Sequence, residues 1–206
     1  MSSAAPLASR SGLADVAVPG RFGRADGEPG VVLCERIDLG IATLAVRKGQ
    51  SAALAEAVQR LYGANLPDGS RHVTGSAAGF IGTGPGQWLV VSAEHRNGAL
   101  ADDLVRRLKG LASISDQSDG RAVIRLAGPA ARDVLAKGLP IDLHPSVFAP
   151  GSAATSVIAL MGVTLWQVDD TPAYDLAVFR SLAGSFWTWL TDSAAEFGYQ
   201  VEGAAP

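Results

Sequence analysis

The feature that most constrains this chain is the run from Ile114 to Pro145, in which turn, strand and helix signals follow one another consistently. Ser118-Asp119-Gly120-Arg121 predicts a tight turn, because Asp and Gly tolerate the backbone angles that turns require. Ala122 to Leu126 alternates as a strand does. Gly128-Pro129 predicts the start of a helix, and Gly138 predicts its left-handed end. The run therefore predicts a strand–turn–strand–helix unit against which the other elements must pack.

The remaining sequence predicts two halves of similar element order. Residues 41–116 read β-α-β-β-α-β, and residues 121–197 read β-α-β-β-β-α. Each half is similar to a ferredoxin-like, split βαβ unit. A chain of 206 residues can hold two such lobes around a shared core. We therefore expect a mostly antiparallel α+β fold with an N-terminal arm (1–30), a first lobe (31–118), a second lobe (119–200) and a short C-terminal tail (201–206).

The last predicted helix, Leu182 to Phe197, carries the clearest amphipathic stripe in the sequence. The tryptophans divide into two expected groups. Trp88 and Trp187 lie in apolar patterns and are expected in the core, whereas Trp166 and Trp189 are expected to be exposed. Because exposed Trp often anchors a protein interface, Trp189 is a candidate subunit contact.

The N-terminal arm has two interpretations. Its many Ser, Ala, Pro and Gly residues are typical of a flexible tail. It also carries apolar side chains that a purely solvated tail would not need, which favours an arm that orders against a partner. These apolar side chains are Leu7, Leu13, Val16, Val18 and Phe22.

Composition argues against several classes of protein. The net charge is −3, and no basic stripe follows the pattern expected for a phosphate backbone, so nucleic-acid binding is not expected. No stretch approaches the ~18 apolar residues of a membrane span. Cys34 is the only cysteine, which excludes an intramolecular disulfide and fits a reducing compartment. The N-terminus lacks the pattern of a secretory signal. We expect a cytoplasmic protein.

No catalytic, cofactor-binding or metal site is predicted. The Gly82–Gly86 loop contains Pro85 and precedes a strand, so it predicts a hairpin and not a phosphate loop. His72 and His95 have no ligand at metal-site spacing. Asp142 and His144 could orient a base, but a capped turn before Pro145 is the commoner arrangement. Cys34 lies in an apolar run typical of a buried thiol.

Polar residues around the central turn have two interpretations: turn and ion-pair structure, or a contact with another subunit. The same holds for polar groups near the second lobe's strands and helix. The candidate subunit-contact residues are Asp116, Asp119, Arg121, Asp142, His144, Arg180 and Trp189.

The run from Ser115 to Pro145 resembles the gamma subunit family of heterotetrameric sarcosine oxidase. The resemblance extends through Gly86-Gln87-Trp88-Leu89, the Asp175-Leu176 strand with Arg180-Ser181, and Trp187-Thr188-Trp189-Leu190, so that it covers roughly residues 85–198. The family implies a bacterial cytoplasmic complex that oxidatively demethylates sarcosine to glycine. The products include hydrogen peroxide and, with tetrahydrofolate, methylenetetrahydrofolate.

The resemblance implies a non-catalytic subunit with a folate-binding aminomethyltransferase-like fold. FAD, FMN, NAD, tetrahydrofolate and zinc would be held by the other subunits. The implied partners are the alpha, beta and delta subunits, with the large alpha subunit as the direct contact. Two alternatives stay open: the equivalent subunit of an N-methylglutamate dehydrogenase-type complex, and a stand-alone folate-binding aminomethyltransferase-like protein.

Overall fold

Two sheets packed face to face form the centre of the structure, a computed structural model that describes residues 10–96 and 98–203. Within these residues the helices are α1 (Ser51–Tyr62), α2 (Ala99–Arg107), α3 (Ala131–Ala136) and α4 (Ala183–Ala194). The strands are β1 (Gly20–Phe22), β2 (Val31–Glu35), β3 (Gly40–Val46), β4 (His72–Thr74), β5 (Gly79–Gly84), β6 (Gln87–Ser92), β7 (Ala112–Asp116), β8 (Arg121–Ala127), β9 (Ala153–Ile158), β10 (Met161–Asp169), β11 (Ala173–Phe179) and β12 (Tyr199–Val201).

The five-stranded sheet has the order β4-β5-β6-β3-β7, and all its neighbouring strands are antiparallel. Because side chains alternate across a strand, each strand contributes to both faces. On one face Leu44, Phe80 and Val90 pack with Leu54 of α1 and Leu104 of α2 in one apolar cluster. The helices therefore cover the outer face of this sheet.

The seven-stranded sheet has the order β1-β12-β2-β8-β11-β10-β9. Its outer face carries Ile124 and Leu176, which share a cluster with Val134 of α3 and with Phe186 of α4. Its inner face meets the five-stranded sheet in a smaller apolar cluster, made by Ile41, Ile81, Leu89, Val91, Val123, Ala153, Trp166 and Ala177. The layers are thus helix, sheet, sheet, helix, and the predicted α+β class is confirmed.

The strand Val31–Glu35 lies outside the lobe in which we expected it. It pairs with β8 and, in parallel, with β12, so it belongs to the seven-stranded sheet and not to the sheet of residues 40–116. The physical reason is burial, since Val31 and Leu33 are fully buried in the core under α3 and α4. Val201, expected in the tail, is likewise a sheet residue.

The described part of the arm packs on its own chain. Leu13 is fully buried beneath the seven-stranded sheet, and β1 pairs with β12. Val16, Val18 and Phe22 keep 45%, 59% and 41% of their surface exposed. Leu7 lies outside the described residues. Residues 10–30 are therefore an ordered layer of this fold, and their binding to a partner stays a prediction.

Two expectations for the central run are wrong in detail. The helix begins at Ala131, so Pro129 lies in the preceding turn and not at the first helical position. Gly138 is not among the glycines with positive φ. Its lack of a side chain instead makes room for the Trp189 ring, because a Cβ there would lie 2.6 Å from Cζ2 of the indole. Glycine at 138 serves packing between α3 and α4.

The tryptophan expectations are partly wrong. Trp166 is only 2% exposed, because β10 lies inside the seven-stranded sheet and turns this side chain toward the other sheet. Trp189 is half-buried and contacts Phe186, with ring centroids 5.8 Å apart. Trp187 is buried as expected. The hairpin predicted for the Gly82–Gly86 loop is confirmed, and its turn residues Pro85 and Gly86 join β5 and β6.

Candidate functional site

The central turn joins the two sheets, and its polar residues hold the junction in place. Asp116 ends β7, and its carboxylate accepts hydrogen bonds from the Ser118 hydroxyl at 2.7 Å and the Ser118 N–H at 3.1 Å. The backbone N–H of Ile41 donates to the Ser118 Oγ at 3.1 Å. Asp116 therefore acts as a turn residue, which is one of the two interpretations that the sequence left open.

Three of the predicted contact residues meet at one pocket beside this turn. Asp119, Arg121 and Arg180 line it together, because Arg121 pairs with Phe179 across β8 and β11 and Arg180 follows directly. The pocket has a volume of about 270 Å³. We call it the arginine pocket, since its lining includes Arg10, Arg36, Arg96, Arg121 and Arg180 but only two acidic side chains, Glu35 and Asp119.

Arg121 lies partly buried in the wall of this pocket. Its guanidinium carbon lies 4.1 Å from the centroid of the Phe179 ring, a cation–π contact. Among the described residues its Nε has no hydrogen-bond partner, and the group forms no salt bridge. Burial without a counter-charge lowers the pKa of Arg121 below its usual value, although the group stays cationic.

The arm closes one side of the arginine pocket. The Ser11 hydroxyl donates to the carboxylate of Glu35, which is only 5% exposed, and Arg180 donates to the carbonyl of Arg10. Leu13, two residues on from Ser11, anchors this segment in the core. The pocket is therefore built by the arm, the β2–β3 connection and the central turn acting together.

A second cleft, of about 260 Å³, lies between the sheets and shares Arg36 with the arginine pocket. We call it the charged cleft. Asp175 is 3% exposed and accepts two hydrogen bonds from Arg125, at 2.7 and 2.8 Å, and one from Arg36 at 3.4 Å. Arg36 also donates twice to Asp38, at 2.7 Å each. Two carboxylates and two guanidinium groups thus neutralise one another.

The pairing of Arg36 with Asp38 sets the direction of both pKa shifts. Burial alone would raise the pKa of Asp38, but the hydrogen bonds and the positive charge of Arg36 together outweigh it and hold the pKa below its usual range. The same hydrogen bonds raise the pKa of Arg36. Each ionised group already has its partner. The network is suited to joining β2, β8 and β11, and its carboxylates are not free to accept a proton from a substrate.

The other polar groups near the charged cleft are engaged in similar ways. Ser92 and His95 lie 3.4 Å apart, which is the one nucleophile-and-base spacing near the cleft among the described residues. However, the Ser92 hydroxyl donates to the Ala77 carbonyl at 2.7 Å and accepts the N–H of His95 at 3.2 Å. It caps a turn and is not activated as a nucleophile.

His72 lies at the same cleft, beside the buried indole of Trp166, with ring centroids 5.9 Å apart. Burial lowers the pKa of His72, and the charge of Asp175 opposes that shift. At neutral pH this imidazole is therefore neutral. Among the described residues, no carboxylate accepts a hydrogen bond from the ring, as one would from an oriented catalytic base.

The remaining predicted contact residues lie elsewhere. The Asp142 carboxylate accepts the backbone N–H of His144 at 2.8 Å, so this pair is the capped turn that we considered and not an oriented base. Trp189 lies on α4 against Gly138. Neither position lines the arginine pocket.

Sequence reasoning missed the charged cleft and most of the arginine pocket. Arg125 and Asp175 are charged residues within otherwise apolar strands, and this pattern could have indicated a buried pair. Glu35 at the end of an apolar strand gives the same signal. Arg10 and Arg96 gave none, because their place in the pocket depends on how distant segments pack.

Neither a metal centre nor a membrane span is found in the described ranges. Across residues 10–96 and 98–203, no three His, Cys, Asp or Glu side chains gather in a way that could hold a metal ion. In the same residues no helix has the length and apolar character needed to cross a bilayer. Cys34 is buried, as expected.

The fold is similar to those of two solved structures. One neighbour is a chain of the heterotetrameric sarcosine oxidase from Corynebacterium sp. U-96 in complex with pyrrole 2-carboxylate, with a TM-score of 0.75 and 30% identity over 92% of this chain and 96% of that one. Another is aminomethyltransferase T of the glycine cleavage system from Bartonella henselae. Its TM-score is 0.61 at 15% identity, over 86% of this chain and 48% of that one. The second likeness concerns the fold alone.

Sequence comparisons agree with the first of these neighbours. The sarcosine oxidase subunit gamma of Corynebacterium sp. (strain P-1) is 37% identical over 152 residues, which span 72% of this chain and 71% of the relative. That of Corynebacterium sp. (strain U-96) is 33% identical over 194 residues, 91% of each chain. The model of the family "Sarcosine oxidase, gamma subunit family" matches residues 48–196. The resemblance seen in the central run is confirmed, and this chain belongs to the sarcosine oxidase gamma subunit family.

Proposed function

We propose that this chain is the non-catalytic gamma subunit of a heterotetrameric sarcosine oxidase, and that it acts in assembly and stabilisation of the complex. The observation that carries the proposal is its likeness, over nearly the full length of both chains, to a chain of such an enzyme. The complex would oxidatively demethylate sarcosine to glycine, with formation of hydrogen peroxide and methylenetetrahydrofolate. The alpha, beta and delta subunits would be its partners, and the alpha subunit its direct contact.

The engaged state of the polar groups supports a non-catalytic role. Asp175 and Asp38 are bound by guanidinium groups, and the Ser92 hydroxyl is bound to a carbonyl. FAD, FMN, NAD, tetrahydrofolate and zinc would accordingly be held by the other subunits. The complex would be cytoplasmic and would bind neither nucleic acid nor membrane.

We also propose that the five-stranded half is a ferredoxin-like lobe. In support, β3 and β5 are connected through α1 and separated in the sheet by β6, which is antiparallel to both. This is the arrangement of a split βαβ unit. The strand β4 would be an addition at its edge. The seven-stranded half would be the second lobe, enlarged by β1, β2 and β12.

One experiment tests the assembly role. The full chain is co-expressed with alpha, beta and delta subunits of a sarcosine oxidase, and the complex is isolated through a tag on another subunit. We expect this chain to co-purify in equal amount, and we expect the complex prepared without it to lose activity faster on heating. Recovery of a fully active complex of unchanged heat stability without this chain would rule out the role.

Two alternatives are distinguished in the same preparation. An N-methylglutamate dehydrogenase-type complex would oxidise N-methylglutamate in preference to sarcosine. A stand-alone folate-binding aminomethyltransferase-like protein would bind folate by itself. A ligand that binds only the folded state raises the melting temperature. A rise in Tm of the isolated chain with tetrahydrofolate would therefore support that alternative, and an unchanged Tm would exclude it.

A further inference from the structure

The arginine pocket concentrates positive charge in a chain whose net charge is −3. Its five arginines face two acidic side chains, and one of these, Glu35, is buried and bound by Ser11. Among the described residues, Arg10 pairs with Asp15 and Arg36 pairs with Asp38, whereas Arg96, Arg121 and Arg180 form no salt bridge. The pocket therefore holds guanidinium groups beyond those that its own carboxylates neutralise.

The basic side chains that line the arginine pocket are all Arg, and none is Lys, which indicates the kind of anion that the pocket can bind. A guanidinium presents a planar fork of donors that matches a carboxylate, and it keeps its charge when partly desolvated. The guanidinium carbon of Arg121 is held 4.1 Å from the centroid of the Phe179 ring, and among the described residues its buried Nε has no hydrogen-bond partner. This orders the guanidinium in advance, which lowers the entropy cost of binding an anion.

The rim of the pocket resembles a protein interface. Ile37, which lines it, and Phe179, on which Arg121 stacks, are each 47% exposed. Exposed apolar side chains around ordered arginines are typical of interface centres, where Arg and aromatic residues contribute most of the binding energy.

Residues 1–9, which precede the pocket's Arg10, contain no Asp or Glu, so this segment supplies no carboxylate side chain to the arginine pocket.

We propose that the arginine pocket receives an Asp or Glu side chain from an acidic, partly apolar segment of another subunit, seated across the arm and the central turn. This inference rests on the proposed function, because it assumes a complex. The carboxylate lies against Arg96 and Arg121, and apolar side chains of the same segment cover Ile37 and Phe179. Arg180 acts indirectly, since it holds the arm wall through the Arg10 carbonyl.

The test is a competition during assembly. Wild-type chain and a variant, carrying different tags, are co-expressed in equal amounts with the other subunits, and their ratio in the purified complex is measured. Arg121→Gln and Arg96→Gln each remove a charge from the pocket. Arg60→Gln removes an exposed charge on α1 and is the matched control. We expect the pocket variants to be under-represented about tenfold or more, and Arg60→Gln to enter as the wild type does.

The results separate this inference from the assembly role. If the wild-type chain itself fails to enter the complex, the proposed function is wrong. If it enters, and both pocket variants enter as well as Arg60→Gln, the pocket inference alone is overturned. Far-ultraviolet circular dichroism of each variant shows whether it folds. Because Arg96 is exposed, Arg96→Gln keeps the test valid if Arg121→Gln unfolds.

Two further measurements identify the source of the carboxylate. A photo-crosslinking residue in place of Ile37 is expected to capture a peptide that contains Asp or Glu, and capture of a peptide without either would contradict the inference. The isolated chain is also titrated with succinate. A rise in Tm at micromolar succinate, together with normal incorporation of Arg121→Gln, would show a site for a small free anion and would overturn the docking inference.

Discussion

Arg125 and Asp175 lie directly opposite each other on β8 and β11 and are joined by two hydrogen bonds of 2.7 and 2.8 Å. Asp175 is 3% exposed. Arg36, which directly follows β2, also donates to Asp175 at 3.4 Å and donates twice to Asp38. Among the described residues, Asp175 is therefore the one carboxylate that pairs with Arg125, and it is a second partner of Arg36.

Replacing Asp175 with Asn is expected to lower the free energy of unfolding by about 2–4 kcal/mol, because Arg125 keeps its charge after losing its counter-charge and Arg36 retains only Asp38. Urea unfolding of the full chain measures the change. Asp170→Asn, at an exposed position in the nearby turn, is the control and is expected to change the free energy by less than about 0.5 kcal/mol. Equal effects of the two substitutions would contradict a structural role for the pair.

Gly138 and Gly184 are expected to respond in opposite directions to substitution with Ala. At 138 the new Cβ would lie 2.6 Å from Cζ2 of Trp189, so the packing must shift and the chain loses about 1–3 kcal/mol. At 184, within α4, no heavy atom lies within 4 Å of the new Cβ, and Ala favours helix over Gly by up to about 1 kcal/mol. Thermal unfolding of both variants measures this. A Gly138→Ala variant that is more stable than the wild type would show that the Trp189 indole can move away from residue 138 without loss of packing energy.

The β9–β10 hairpin offers a stabilising substitution. Its loop residues Ala159 and Leu160 have φ values of 47° and 66°, and the Leu160 side chain is 98% exposed. Two-residue hairpin loops with positive φ at both positions favour Asn-Gly. The double substitution Ala159→Asn and Leu160→Gly is expected to raise the free energy of unfolding by about 1 kcal/mol. A lower Tm for the double variant would contradict this account of the turn.

Stability is expected to depend on pH through His72. Burial lowers its pKa, so between that lowered value and the unfolded value of about 6.5 the folded chain binds fewer protons than the unfolded chain. The free energy of unfolding is then highest above about pH 6.5 and falls as the pH is lowered through this window. Urea unfolding between about pH 7.5 and 5.5 measures the slope. His72→Gln should flatten it. A slope that survives His72→Gln would assign the effect to another group.

Local signals in the sequence predicted most of the elements. The apolar stripe of α4, the Gly63 end of α1 and the β5–β6 hairpin all depend on neighbouring residues, and all appear in the structure. The placement of β2 failed because an apolar strand of five residues fits either sheet equally well by pattern. Only pairing with β8 and β12, more than 80 residues away, decides it.

The candidate site was less predictable for the same reason. Asp119 and Arg121 were identified as polar residues of the central turn and Arg180 as a polar residue of the second lobe, and the three do line one pocket. The tight cap at Asp142 was also among the interpretations considered. Arg10, Arg36 and Arg96 come from three distant segments, and their convergence depends on how the arm packs on the sheets. No local sequence pattern predicts that these three segments lie side by side in the folded chain.

The strand β12 has a consequence for the order of events during synthesis. In the seven-stranded sheet β12 lies between β1 and β2. These two early strands are therefore joined to each other only through residues 199–201. During synthesis these residues emerge well after β1 and β2. β1 therefore cannot take its place in the sheet until residues 199–201 have left the ribosome, and the arm cannot close the arginine pocket until Arg180, which donates to the Arg10 carbonyl, has emerged. If the pocket receives another subunit, that subunit docks after Arg180 has been synthesised.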